Sequence, residues 1–176
     1  INALSPLSGL IGSSNVGGVI GFRMYSLGVH SIIITGRAAR PVYLYLRPDG
    51  VEVNDAQHLW GLDNRDTEEH LKKDVGAENV DMLTIGPAGE KRVLFACIMA
   101  GWDHAAGRTG LGALMGAKNL KAIAVRGTGC VTPADVEGIL KLRHVMGRPL
   151  YKTNPVKDHA TFKLRPHISV PVDVGM

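Results

Sequence analysis

The chain has 176 residues, 45% hydrophobic and 20% charged, with a formal net charge of +4. That composition belongs to a globular protein and excludes a disordered one. No run approaches the roughly 20 apolar residues a membrane span needs, none of these residues reads as a signal peptide, and two cysteines, Cys97 and Cys130, are too few for a disulfide scaffold or a four-thiolate metal site within this chain.

The chain opens at Ile1, inside what reads as the tail of a strand, so further chain is expected upstream. Residues 5–9 (SPLSG) are turn chemistry. Residues 12–18 (GSSNVGG) form a polar, Gly-rich loop. Val16, Val19, Ile20, Met24 and Leu27 then recur at helical spacing, and Gly28 reads as the stop. His30 to Thr35 (HSIIIT) predicts a short buried strand. Val42–Leu46 and Val51–Val53 flank Asp49-Gly50, a hairpin signal.

A surface helix is predicted from about Asp66 to Val75, with Asp66 as cap, Glu69 completing a capping box, and Lys72 and Lys73 in the last turn. Residues 80–85 and 93–98 read as two more strands joined by Gly86-Pro87-Ala88-Gly89. Residues 101–116 carry five glycines, with a helical stripe at Leu111, Leu114 and Met115. Leu120–Val125 is a strand. Thr132-Pro133 predicts a helix start, running to about Met146 with Gly147 as stop. After residue 150 the periodicity is lost. The resulting fold class is α+β, with mixed sheets and short helices. The domain division is 1–130 for a binding domain and 131–176 for the start of a helical one.

The charge is partitioned. Residues 1–40 hold Arg23, Arg37 and Arg40 and no acid; residues 41–90 hold eleven acids against four bases; residues 91–176 hold thirteen bases against five acids. Forty residues without a carboxylate suit an anionic ligand, and equally suit a buried segment. Residues 17–36 (GGVIGFRMYSLGVHSIIITG) and 110–127 (GLGALMGAKNLKAIAVRG) repeat one pattern: Gly-rich loop, short helix, apolar strand ending in Gly.

Two loops carry the candidate chemistry. The first is Ser13, Ser14, Asn15, Val16, Gly17, Gly18; the second is His104, Ala105, Ala106, Gly107, Arg108, Thr109, Gly110. Glycine lets backbone amides approach a phosphate closely. Tight helix–strand packing is the competing reading. Neither loop fits the P-loop or dinucleotide patterns. The histidines show no metal-ligand spacing. Cys97 reads as an inert thiol on an apolar strand, and His30 as structural. Asp103-His104 could pair as acid and base, and no nucleophilic triad can be drawn.

SPLSG at 5–9, SSNVGG at 13–18, PVYLYL at 41–46, DAQHLWG at 55–61, TIGPAGE at 84–90, FACIM at 95–99 and AAGRTGLGALMGAKNLKAIAVRGTG at 105–129 together resemble the N-terminal domain of the aldehyde:ferredoxin oxidoreductases. The resemblance runs from about Ile1 to His159. It implies a domain on which a tungsten or molybdenum bis-pterin lies, with a magnesium ion bridging the pterin phosphates. By resemblance, Asn15 and Ala105 would give backbone carbonyls to the magnesium. Ser14, Asn15, Gly17, Gly18, His104, Ala105, Ala106, Gly107, Arg108 and Gly110 would face the cofactor. In the full-length enzyme an aldehyde would become a carboxylic acid, with electrons leaving through a [4Fe–4S] cluster to ferredoxin or another carrier. A cytoplasmic protein, a possible homodimer, and no nucleic-acid or membrane partner are expected.

The chain departs from the family pattern at His104, where an arginine often stands; a permanent cation is replaced by an imidazole. The cluster's C-x-x-C-x-x-x-C set is absent, and residues 163–176 no longer resemble the family. A non-catalytic fragment and a nucleotide-binding module are the alternative functions.

Overall fold

A computed structural model describes residues 1–129 and 133–153. The chain divides into two compact units, Ile1–Val131 and Thr132–Met176.

The first unit opens with an antiparallel ribbon, β1 (Asn2–Leu4) on β2 (Ile11–Ser13). Its turn is the SPLSG segment: the Ser5 hydroxyl accepts from the amides of Leu7 and Ser8, each at 3.2 Å, and Gly9 sits at φ +71°. Helix α1 (Ile20–Ser26) follows and ends at Gly28, whose φ of +72° is a conformation only glycine adopts freely.

The main sheet has six strands: β3 (Val42–Arg47), β4 (Gly50–Asp55), β5 (Asp81–Thr84), β6 (Ile98–Ala100), β7 (His104–Ala106) and β8 (Leu120–Val125), in the order β4-β3-β8-β5-β6-β7. The β3–β4 hairpin pairs Arg47 with Gly50 across Pro48-Asp49, as the Asp-Gly signal predicts. Strand β8 lies parallel to β3 and antiparallel to β5, and all six of its residues are buried. A strand flanked on both sides and covered on both faces reads as an unbroken apolar run, which LKAIAV nearly is. Its alternation serves two cores. Leu120, Ile123 and Val125 join Leu46, Ile98 and Leu111 on one face; Ala122 and Ala124 join Tyr43, Leu59 and Leu71 on the other.

Helix α2 (Asn64–Asp74) covers the second face through Thr67 and Leu71, both fully buried. Its cap is Asp63, accepting from the Asp66 amide at 2.9 Å, so Asp66 lies in the first turn rather than at the cap. A one-turn helix α3 (Pro87–Glu90) packs on α4 (Leu111–Ala117). A Cβ on Gly116 would stand 1.9 Å from the Gly89 carbonyl oxygen and one on Gly112 would stand 2.4 Å from that of Cys97. Those glycines are required by close approach.

Two predicted strands are displaced. Residues 93–97 are not extended; their backbone closes turns on α3 and α4, with Val93 N donating to Ala88 O and Gly112 N to Ala96 O. The strand is β6, later in sequence, and half-buried Cys97 precedes it. Residues His30–Thr35 form no strand, because no neighbour among the described residues supplies a ladder. His30 is exposed, its ring edge-on to Tyr25 at 5.5 Å. The repeat therefore holds for loop and helix but not for a paired strand.

The second unit contains α5 (Val136–Thr153). Asp135 accepts from the Gly138 amide at 2.8 Å, so the helix starts later than the Thr132-Pro133 reading. It continues past Gly147, since an interior glycine costs only about 1 kcal/mol. Thr132, Cys130 and residues 154–176 lie outside the described residues. No described helix is long and apolar enough to cross a membrane.

Candidate functional site

The two Gly-rich loops converge. The Ser14 hydroxyl, 3% exposed, accepts from the Arg108 amide at 3.2 Å, and the Ser5 hydroxyl donates to the Thr109 carbonyl at 2.8 Å. A Cβ on Gly12 would meet the Thr109 side chain at 2.7 Å; one on Gly17 would meet the His104 ring at 2.4 Å. Loop one therefore lies directly on loop two. These contacts join residues about ninety positions apart, through small side chains on both partners.

The predicted residues separate into a supporting set and a presented set. Ser14, Ala106 and Gly110 are buried. Gly110 caps α4 at φ +68°, and a Cβ there would stand 1.7 Å from the Leu94 carbonyl oxygen, so this glycine serves packing. Asn15, Gly17, Gly18, Ala105, Gly107 and Arg108 are exposed, and His104 is half-buried on edge strand β7. A Cβ on Gly107 would meet nothing within 4 Å. Among the described residues the Arg108 guanidinium has no hydrogen bond or ion pair, and the Asn15 carbonyl accepts none. The buried reading of residues 1–40 fails: only Ser5, Gly12, Ser14 and Ile20 are buried there.

Beside His104 lies a cleft of about 170 Å³, lined by Gly18, Ile20, Met82, Ala100 and three carboxylates, Glu68, Asp81 and Asp103. Each carboxylate has a polar partner. Lys72 meets Glu68 at 3.0 Å, Arg23 meets Asp81 at 2.7 Å, and His104 Nδ1 meets Asp103 at 2.7 Å. Asp103-His104 is thus a contact in space as well as in sequence. Arg23 also donates to the Gly127 carbonyl at 3.1 Å and to the Asn79 side chain. It thereby ties α1, which follows loop one, to the start of β5 and the end of β8. No group of three or more His, Cys, Asp or Glu side chains is placed to hold a metal ion among the described residues.

Three family-like segments meet away from the loops. Lys121 Nζ, with its side chain wholly buried, donates to Glu90 Oε1 at 2.5 Å and to the Leu62 carbonyl at 2.8 Å. The Glu90 carboxylate, 5% exposed, also accepts from the Gly61 amide at 3.0 and 2.9 Å. Burial pulls the Lys121 ammonium below the ordinary lysine range, opposed by the hydrogen bond and charge of Glu90. TIGPAGE, LWG and NLKAIAV are thus joined by a buried ion pair. Sequence reading missed it; a lysine inside an apolar strand was the available signal.

Residues 1–127 match the family "Aldehyde ferredoxin oxidoreductase, N-terminal domain". The tungsten-containing aldehyde ferredoxin oxidoreductase of Pyrococcus furiosus is 47% identical over 131 residues, covering 74% of this chain and 22% of the relative. The enzyme of the same name from Pyrococcus horikoshii is 42% identical, covering 92% of this chain and 29% of the relative. Among solved structures, the active site complex BamBC of benzoyl coenzyme A reductase, bound to 1,5-dienoyl-CoA, superposes with a TM-score of 0.75 at 35% identity, covering 88% of this chain and 25% of that one. The chain spans between a fifth and a third of the length of these relatives.

Proposed function

The chain belongs to the aldehyde ferredoxin oxidoreductase family, whose N-terminal domain it carries over residues 1–127, and we propose that it is the base on which a tungsten or molybdenum bis-pterin rests. The observation that carries this reading is the convergence of the two loops through Ser14 and Arg108. One exposed surface then offers the Gly17, Gly18 and Gly107 backbone, the unpaired Arg108 guanidinium and the His104 ring. That set fits a phosphate-bearing ligand: backbone and guanidinium donors are presented, and Gly107 leaves space that a side chain would fill. Ser14, Ala106 and Gly110 act beneath it, holding the presented backbone in place. Asn15 and Ala105 are exposed and would be the residues to give backbone carbonyls to a magnesium ion.

The bound group would supply the two-electron oxidation of an aldehyde to a carboxylic acid in the whole protein. This chain's residues bind and orient it. Electrons would pass through a [4Fe–4S] cluster to ferredoxin or another carrier, and the cluster's thiolates would come from outside these residues. The likeness to a benzoyl coenzyme A reductase component supports a second reading of substrate: an oxidoreductase on a different carbonyl or ring compound, with the choice made outside this domain. Cytoplasmic location and a homodimer remain part of the proposal.

Gly107→Val, made in the full-length protein, tests the site. Gly107 is exposed and its Cβ would have open space, so the fold tolerates the valine while the ligand does not. Metal content should fall, while the cofactor-free forms of variant and wild type should melt within about 2 °C of each other, at most about 1 kcal/mol for a domain of this size. Full occupancy would refute the placement of the pterin on this surface. Elemental analysis of the wild type separates the alternatives: tungsten or molybdenum for the proposal, a bound nucleotide for a nucleotide module, neither for a non-catalytic fragment.

A further inference from the structure

The segment Arg108–Thr109 of the second loop is held by the β1–β2 ribbon and its turn. Ser14 Oγ accepts from the Arg108 amide at 3.2 Å, and Ser5 Oγ donates to the Thr109 carbonyl at 2.8 Å. Both serines are buried. Ser5 is itself fixed at every polar atom: its amide donates to the Leu10 carbonyl, its carbonyl accepts from the Gly9 amide, and its hydroxyl accepts from the amides of Leu7 and Ser8. The Thr109 hydroxyl donates to the Arg108 carbonyl at 2.6 Å. Its side chain fills the space above Gly12, where a Cβ would stand 2.7 Å from both Thr109 Cβ and Oγ1.

The backbone inside this clasp is uncommon. Thr109 sits at φ +65° and Gly110 at φ +68°, two left-handed residues in succession. Among the described residues the non-glycine positions of positive φ are Arg92, Thr109 and Asn119, and only Thr109 is β-branched. A branched Cβ crowds the neighbouring carbonyl there, so such a residue persists only where its surroundings over-determine it, and strain of this kind collects at binding sites. Packing explains Gly110, whose Cβ would strike the Leu94 carbonyl. It does not explain a threonine at 109, where glycine would take the same φ without strain. What the threonine adds is a side chain locked between Gly12 and the Arg108 carbonyl. Arg108 is the exposed residue that this lock holds, and its guanidinium has no hydrogen bond or ion pair among the described residues.

We propose that Thr109 is a positioning residue that acts through Arg108: clamped in the left-handed region by Ser5 and Gly12, it fixes the direction in which the Arg108 guanidinium meets a phosphate-bearing ligand. The identity of that ligand rests on the cofactor reading above; the positioning rests on the contacts of Ser5, Gly12 and Ser14. A guanidinium recognises phosphate through a planar fork, so its orientation matters as much as its charge. Held in place before the ligand arrives, it loses less freedom on binding.

Two measurements on the full-length protein test it, using Thr109→Gly, Thr109→Ser and Arg108→Met. The first is amide hydrogen exchange of the cofactor-free protein, read by mass spectrometry with residue-resolving fragmentation. In the wild type and in Thr109→Ser, which keeps the hydroxyl, the Arg108 amide should exchange at least about tenfold more slowly than in an unstructured chain; Thr109→Gly should lose that protection. The second is the tungsten or molybdenum retained through dialysis, beside the melting temperature of the cofactor-free form. Thr109→Gly should lose metal about tenfold faster than the wild type, while its cofactor-free form melts no lower, because glycine relieves the strain. Thr109→Ser should retain the metal. In an Arg108→Met background Thr109→Gly should add nothing further, since the group through which it acts is gone. An Arg108 amide that is unprotected in the wild type, or equally protected in Thr109→Gly, overturns the proposal. Wild-type metal retention by Thr109→Gly overturns it, as does the same loss in Thr109→Ser. A loss that only follows a lower melting temperature, or one additive with Arg108→Met, makes Thr109 a structural residue and overturns it too. The cofactor reading fails separately: a wild type without tungsten or molybdenum refutes that reading, and exchange at Arg108 then decides the positioning by itself.

Discussion

Replacing Lys121 by methionine is the sharpest test of how this domain is held together. The Lys121 side chain is wholly buried and its ammonium touches Glu90 and the Leu62 carbonyl. Methionine fills a similar volume but leaves the Glu90 carboxylate at 5% exposure with only the Gly61 amide as donor. Removing one partner of a buried pair costs about 3–5 kcal/mol, because the other charge stays desolvated and uncompensated. At about 2–4 °C per kcal/mol for a protein of this size, the melting temperature should fall by about 6–20 °C. The double variant Lys121→Met with Glu90→Gln removes both charges and keeps an oxygen for the Gly61 amide. It should recover most of the loss, to within about 1.5 kcal/mol of the wild type, since replacing both partners of a buried pair is often near neutral. Thermal and urea unfolding of the four proteins gives the coupling energy directly. A Lys121→Met loss under 1 kcal/mol, or a double variant equal to the sum of the singles, would show that the pair is not desolvated.

Four further outcomes are expected. Gly110→Ala should destabilise the first unit by more than about 1 kcal/mol, since it combines a positive φ with a carbonyl oxygen 1.7 Å from the new Cβ; chemical unfolding beside Gly107→Ala, which should be within about 0.5 kcal/mol of wild type, reads the contrast. Burial, reinforced by the charge of Asp74, raises the Tyr43 phenol above its ordinary 10.0. Its contribution to stability is present below pH 10 and is lost as pH rises through the folded value, because the unfolded chain ionises first; the wild type should lose stability relative to Tyr43→Phe above pH 10 in a pH series of urea melts. Arg23→Met removes the donors to Asp81, Asn79 and Gly127 and should cost about 1–3 kcal/mol, measured by urea unfolding with Arg23→Lys as the partial rescue. The 176-residue chain reconstituted with iron and sulfide should bind no [4Fe–4S] cluster as a monomer, because it offers two cysteines where four thiolates are needed; absorbance and iron counting with gel filtration check this.

Features whose causes are local were legible in the sequence. The SPLSG turn, the Asp49-Gly50 hairpin, the stop at Gly28, helix α4 and strand β8 follow from a few adjacent residues each. That the two Gly-rich loops meet was also legible, through the order of motifs and the repeat. What the chain order could not convey is which distant groups satisfy one another. An apolar run such as 93–98 meets the requirements of a strand or of a packed turn equally well; the hydrogen bonds from Val93 to Ala88 and from Gly112 to Ala96 decide for the turn. The run at 30–35 has every local property of a strand and forms none, because a ladder needs a neighbour and propensity supplies none. Glu90 and Lys121, 31 positions apart, carry nothing in their neighbouring residues that pairs one with the other. Only the fold removes both from water together, and desolvation makes each depend on the other. Likewise Gly107 and Gly110 are the same residue type three positions apart, and the tertiary structure alone gives open space to one and the Leu94 carbonyl to the other.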